Sequence, residues 1–116
     1  MSRSAFVTGG TGFVGLNLVQ KLKSDGWDVT ALHRASSDLS FLKRFEPNLA
    51  KGEITDAASM LAALPEGVDT LFHVAGNTNM WHKGNARQTL ENVEGTRNVV
   101  EAALAKGVRR LVVTSS

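Results

Sequence analysis

The chain has 116 residues, 42% of them hydrophobic and 21% charged, with a formal net charge of +2; it is one domain at most, long enough to bury a core. The weak charge and the lack of a basic run argue against a nucleic-acid partner, and the absence of cysteine excludes disulfides and thiolate metal sites and fits the cytosol. No apolar stretch is long enough to cross a bilayer, and Met1-Ser2-Arg3-Ser4 does not read as a signal peptide.

Ser4–Thr8 is an apolar run and the first expected strand. Phe13, Val14, Leu18, Val19 and Leu22 then fall at helical spacing, with Gln20, Lys21 and Lys23 outward, which predicts a helix over 12–24. Asp25-Gly26 closes it. Asp28–His33 is a second strand built on Val29-Thr30-Ala31-Leu32. Residues 36–45 read as a short helix or turn with Ser37 or Asp38 as its cap. Asn48–Lys51 is a weak third strand. Asp56 caps a helix running to about Leu64, which Pro65-Glu66-Gly67 stops. Residues 69–75 make a fourth strand, apolar enough to be buried on both faces. A long helix over 86–105 ends at Lys106-Gly107, and 109–114 is a fifth strand.

Strands alternating with helices at this spacing require parallel pairing with right-handed crossovers. The expected architecture is α/β: a doubly wound parallel sheet of order 3-2-1-4-5 with helices on both faces. Its ligand crevice lies outside the carboxyl ends of strands one and four, where the winding reverses.

Gly9, Gly12 and Gly15 stand three apart between the first strand and the first helix. The first allows a tight turn, the second lets the backbone approach a pyrophosphate, and the third lets the helix pack closely on the strand. The unpartnered N–H groups of the helix's first turn point at the anion. The end of the second strand reads Leu32-His33-Arg34 and has no carboxylate. A carboxylate there would hydrogen-bond a ribose and repel a 2′-phosphate, whereas Arg34 attracts one, with Ser36 and Ser37 as further donors. This favours NADP(H), with NAD(H) as the other choice. His33 reads as a strand-end residue and His73 as a hydrogen-bonded core histidine. No set of histidines and carboxylates has metal spacing.

Five segments in order resemble the extended short-chain dehydrogenase/reductase superfamily, the NAD-dependent epimerase/dehydratase family. They are Thr8 to Gly15, Gly52-Glu53-Ile54-Thr55-Asp56, Phe72-His73-Val74-Ala75-Gly76, Asn92 to Ala103, and Arg109 to Ser116. The basic end of strand two and Arg109-Arg110-Leu111-Val112-Val113-Thr114-Ser115-Ser116 are most similar to the branch of dihydroflavonol reductases and 3β-hydroxysteroid dehydrogenases. The resemblance implies a Rossmann-type fold. It implies cofactor contacts from Thr8, Gly9, Gly12, Phe13, Val14, Gly15, Arg34, Glu53, Ile54, Val74, Ala75, Gly76 and Asn92. Glu53 stands where the family usually has Asp, and it and Ile54 would hold the adenine edge. Asn92 either joins the hydrogen bonds of the active site or is a plain helical asparagine.

The resemblance also implies catalysis by a serine, a tyrosine and a lysine. Ser116 matches the serine best, with Ser115 one register off. The chain contains no tyrosine, so the Tyr-x-x-x-Lys acid is missing. Residues 1–116 are therefore expected to be the N-terminal NAD(P)-binding domain of a longer enzyme, truncated after strand five, without its substrate region and inactive alone. The parent is expected to be a cytoplasmic homodimer that reduces a ketone or aldehyde with NADP(H), its partner a small carbonyl or hydroxyl compound. The alternatives are an NAD-dependent nucleotide-sugar epimerase or dehydratase, and a dinucleotide-sensing module without chemistry. Strand five is expected to be a bare apolar edge open to pairing. Met80, Trp81 and His82 either wall a substrate site or pack a helix start.

Overall fold

The structure is a computed structural model that describes residues 3–9, 13–34, 39–74 and 86–114, excluding the side chains of 86–92 and 114. Strands β1 (Ser4–Thr8), β2 (Asp28–His33), β3 (Asn48–Lys51), β4 (Thr70–Val74) and β5 (Arg110–Thr114) form one sheet. Its order is β3-β2-β1-β4-β5, and every pairing is parallel. The order reverses between β1 and β4, as the sequence predicts.

The two-residue period of a strand sends alternate side chains to opposite faces. In β1, Ala5 and Val7 join Val19, Leu22, Val29, Ala31 and Leu42 beneath helix α1 (Phe13–Ser24). Phe6 faces the other way, with Met60 of α2 (Ala57–Ala63), Leu71, and Val99 and Ala102 of α3 (Ala86–Ala105). Phe6, Val7, Met60, Leu71 and Val99 are inaccessible to solvent. Side chains of this size each gain about 1.5–3 kcal/mol from full burial, so both faces are anchored in the middle of the sheet. Polar clips hold the amino ends: Asp69 accepts from Ser4 N at 2.8 Å, and Asn48 Nδ2 donates to Asp28 Oδ1 at 3.0 Å.

The first helix differs from its expected face. Phe13 is 83% exposed and Val14 is exposed as well; the buried stripe is Gly15, Val19 and Leu22. Both stripes satisfy helical spacing, but glycine gives no hydrophobic signal, so the buried position at Gly15 is invisible to the pattern. In the stretch before β3, among the described residues, Leu42–Phe45 forms a 3-10 turn, and the preceding Phe41 offers no capping side chain. Ser36, Ser37 and Asp38 lie outside the described residues. Gly26, at φ +86°, closes α1 as expected.

Strand β5 ends the described sheet. Leu111 packs partly into the core beneath α3, whereas Val113 is 52% exposed. At the amino ends of the strands, on the α1 side, a cavity of about 480 Å³ is lined by Arg3, Trp27, Asp69, Phe72, Arg109 and Arg110. It lies at the opposite end from the crevice. No described helix is long and apolar enough to cross a membrane.

Candidate functional site

The predicted site residues that are described form a row along the carboxyl edge of the sheet. Thr8 ends β1 and Gly9 follows it, Val74 ends β4, Arg34 follows β2, and Glu53 and Ile54 follow β3. Gly9 has φ +71°, and a Cβ placed there would lie 2.9 Å from the Val74 carbonyl oxygen and 3.1 Å from Val74 Cβ. Only glycine combines that conformation with that closeness. The first turn of α1 carries no acidic residue, so no carboxylate of that turn competes for its outward N–H groups. Phe13 and Val14 belong to this turn and are exposed rather than in the core.

His73 is 1% exposed and is held on both ring nitrogens. Nδ1 lies 2.7 Å from Thr8 Oγ1, and Nε2 lies 3.1 Å from Thr96 Oγ1 on α3. Burial pushes its pKa below the ordinary histidine value. This is the hydrogen-bonded core histidine that the sequence suggests. His33 is tied locally, its Nδ1 2.9 Å from the Arg34 carbonyl oxygen. A carbonyl only accepts, so Nδ1 carries the proton. Among the described residues, no group of three or more His, Asp or Glu is arranged to hold a metal.

The second cluster is built around the segment after β3. Arg34 Nε lies 3.9 Å from Glu53 Oε1, with both side chains more than half exposed. Glu53 N donates to Ser59 Oγ at 3.0 Å, and that hydroxyl lies 3.2 Å from the Glu53 and Asp56 carbonyl oxygens that share its proton. Asp56 caps α2 as expected, accepting from the backbone N–H groups of Ala58 and Ser59. Asn98 Nδ2 of α3 donates to the Ile54 carbonyl at 2.8 Å. At Gly95 a Cβ would fall 2.6 Å from Ile54 Cδ1, so α3 rests directly on Ile54.

Sequence reasoning missed Ser59, Thr96 and Asn98. Asn98 carried a usable signal: it lies in the stripe that includes Gly95, Val99 and Ala102, and a polar side chain there needs a partner. Gly12, Ala75, Gly76, Ser115 and Ser116 lie outside the described residues, as do Met80, Trp81 and His82. Asn92 lies in α3, and its side chain is not described.

Residues 5–116 match the NAD dependent epimerase/dehydratase family. The chain is 40% identical over 116 residues to the 3 beta-hydroxysteroid dehydrogenase/Delta 5-->4-isomerase of Mycobacterium tuberculosis, covering 95% of this chain and 30% of that protein. It is similar in structure to the epimerase Mth375 of Methanothermobacter thermautotrophicus, with a TM-score of 0.84, 33% identity, and coverage of 99% and 35% of the two chains. A short-chain dehydrogenase/reductase superfamily protein of Agrobacterium tumefaciens, solved with bound NAD, gives a TM-score of 0.74 at 30% identity, covering 98% of this chain and 33% of that one. The chain thus spans about a third of the length of the curated relatives it matches.

Proposed function

Because the chain belongs to the NAD dependent epimerase/dehydratase family, we propose that it forms the NADP(H)-binding domain of an oxidoreductase that reduces a ketone or aldehyde. The observation that carries this reading is the β1–Gly9–α1 passage. At Gly9 no side chain fits against Val74, and the first turn of α1 carries no acid. From β3 to β4 the carboxyl edge spans three strand spacings, about 14 Å, and Thr8, Gly9, Arg34, Glu53, Ile54 and Val74 along it support this reading. Thr8, Gly9, Gly12 and Gly15 would hold the pyrophosphate, with Phe13 and Val14 beside it. Glu53 and Ile54 would hold the adenine, Arg34 the 2′-phosphate, and Val74, Ala75, Gly76 and Asn92 the nicotinamide half.

When bound, the dinucleotide supplies or accepts a hydride. This chain's part is to bind and orient it and to hold the substrate oxygen through Ser116, or through Ser115 in the alternative register. The proton donor of this reading is a tyrosine in a longer parent protein, since none occurs in these 116 residues. On this reading the 116-residue chain binds dinucleotide without turning over a ketone. The parent is cytoplasmic and associates as a homodimer, and the exposed end of β5 gives the isolated chain a route to pairing that light scattering would detect.

Titrating NADPH and NADH into the chain by calorimetry tests the reading. Saturable binding with NADPH tighter supports it, and no binding of either rejects it. A second reading, an NAD-dependent nucleotide-sugar epimerase or dehydratase, draws support from the Arg34–Glu53 pair. A guanidinium already facing a carboxylate offers less field to a phosphate, and NADH would then bind at least as well.

A further inference from the structure

We propose that His73 is a positioning residue that sets the Gly9 turn by tying Thr8 to Thr96 of α3. The inference rests on the dinucleotide-binding reading above. Thr8 is the last residue of β1 and the neighbour of Gly9, and Asn92 lies one turn before Thr96 on α3. The imidazole is a rigid spacer between two hydroxyls, at 2.7 Å on one side and 3.1 Å on the other. A neutral imidazole has one donor and one acceptor nitrogen, so the two threonines complete both, and the three side chains form one directed chain of hydrogen bonds.

Stability alone does not call for this arrangement. Replacing a buried polar cluster with apolar side chains of the same shape is nearly neutral or stabilising. Among the described residues, the register partner of His73 on β5 is the apolar Val113, and Leu71 precedes it on the same face of β4. The groups that meet the ring from β1 and α3, Thr8 and Thr96, carry no charge. Glu94 and Arg97, the ionisable residues flanking Thr96 on α3, are exposed. What the cluster adds is direction. Apolar packing tolerates sliding, whereas two hydrogen bonds fix where β1 ends relative to α3, at the carboxyl edge of the sheet.

The test measures NADPH and NADH binding to the 116-residue chain by calorimetry, with folding followed by circular dichroism. Thr96 stands on α3 and its hydroxyl meets the ring at Nε2, so Thr96→Val probes the turn through the ring. Thr96→Val is expected to weaken dinucleotide binding about tenfold, the loss of about one hydrogen bond's free energy. His73→Leu is expected to weaken it by a similar factor, and the double variant no further. Leu71→Ala, a core truncation on the same strand and face, leaves the affinity of the folded fraction within about twofold, although it costs stability. Wild-type affinity in Thr96→Val overturns the proposal, as does a double variant in which the two losses multiply. If His73→Leu fails to fold, Thr96→Val and His73→Gln decide alone, the glutamine restoring part of the binding by reaching one hydroxyl. Failure of the unsubstituted chain to bind either dinucleotide overturns the binding reading itself, and this inference with it. That result is distinct from a variant that binds normally.

Discussion

The guanidinium of Arg34 and the carboxylate of Glu53 face each other at 3.9 Å across the ends of β2 and β3. Both are solvated, so the pair contributes little to stability. On the NADP(H) reading it sets up a competition: a 2′-phosphate approaching Arg34 would share the guanidinium with Glu53. Arg34→Asp is expected to weaken NADPH by tenfold to a hundredfold, roughly 1.5–3 kcal/mol for a hydrogen bond to a charged group. NADH should lose far less, and Glu53→Gln should tighten NADPH. Calorimetric titration of both dinucleotides checks this, and equal losses would mean that Arg34 does not reach the 2′-phosphate.

Gly9→Ala puts a methyl group 2.9 Å from the Val74 carbonyl oxygen at a φ of +71°. The strained conformation alone costs about 1–3 kcal/mol. A lower urea midpoint with an unchanged slope is expected, together with lost dinucleotide binding in the remaining folded protein.

Asn98→Leu removes the donor that meets the Ile54 carbonyl at 2.8 Å. An orphaned acceptor in a partly buried setting costs about 1–3 kcal/mol. Asp56→Ala should cost about 0.5–2 kcal/mol through the lost cap of α2. Urea unfolding of each variant and of the pair would reveal whether the two ends of the 53–56 segment act together.

Acid should destabilise the fold through His73. Its folded pKa lies below the ordinary value because burial disfavours the charged ring. The unfolded chain therefore takes up a proton as the pH falls below about 6.5, while the folded chain does not. Stability is full above that value and falls as the pH drops from there toward the folded pKa. His73→Gln should flatten the curve in that window. Asp69 acts at lower pH: hydrogen bonding from the Ser4 backbone N–H holds its pKa down, so its contribution is present above the usual aspartate range and is lost below it.

Much of this architecture is legible in the sequence because each signal is local. Asp56 announces a cap, Gly26 a helix end, and the run from Thr70 to Val74 a buried strand, and each lies where a short-range pattern puts it. The failures are equally physical. Phe13 and Val14 satisfy a helical stripe, but periodicity cannot tell a core face from a face that a ligand would cover. Ser59, Thr96 and Asn98 act across 6, 23 and 44 residues of sequence. The partners of Thr96 and Asn98 come close only once the sheet has brought the elements together, and spacing along the chain does not name them.

At Gly95 the position a Cβ would take lies 2.6 Å from Ile54 Cδ1 and 2.8 Å from Cγ1. The two positions thus share one fixed allotment of volume: what one side chain gains, the other must give up. Gly95→Ala should destabilise the fold by about 1–3 kcal/mol, and Ile54→Ala, costly alone, should become the remedy in that background. A double-mutant cycle by urea unfolding would give a coupling of opposite sign to the single losses. The chain can therefore exchange bulk between the long helix and the loop after β3, but cannot enlarge either alone.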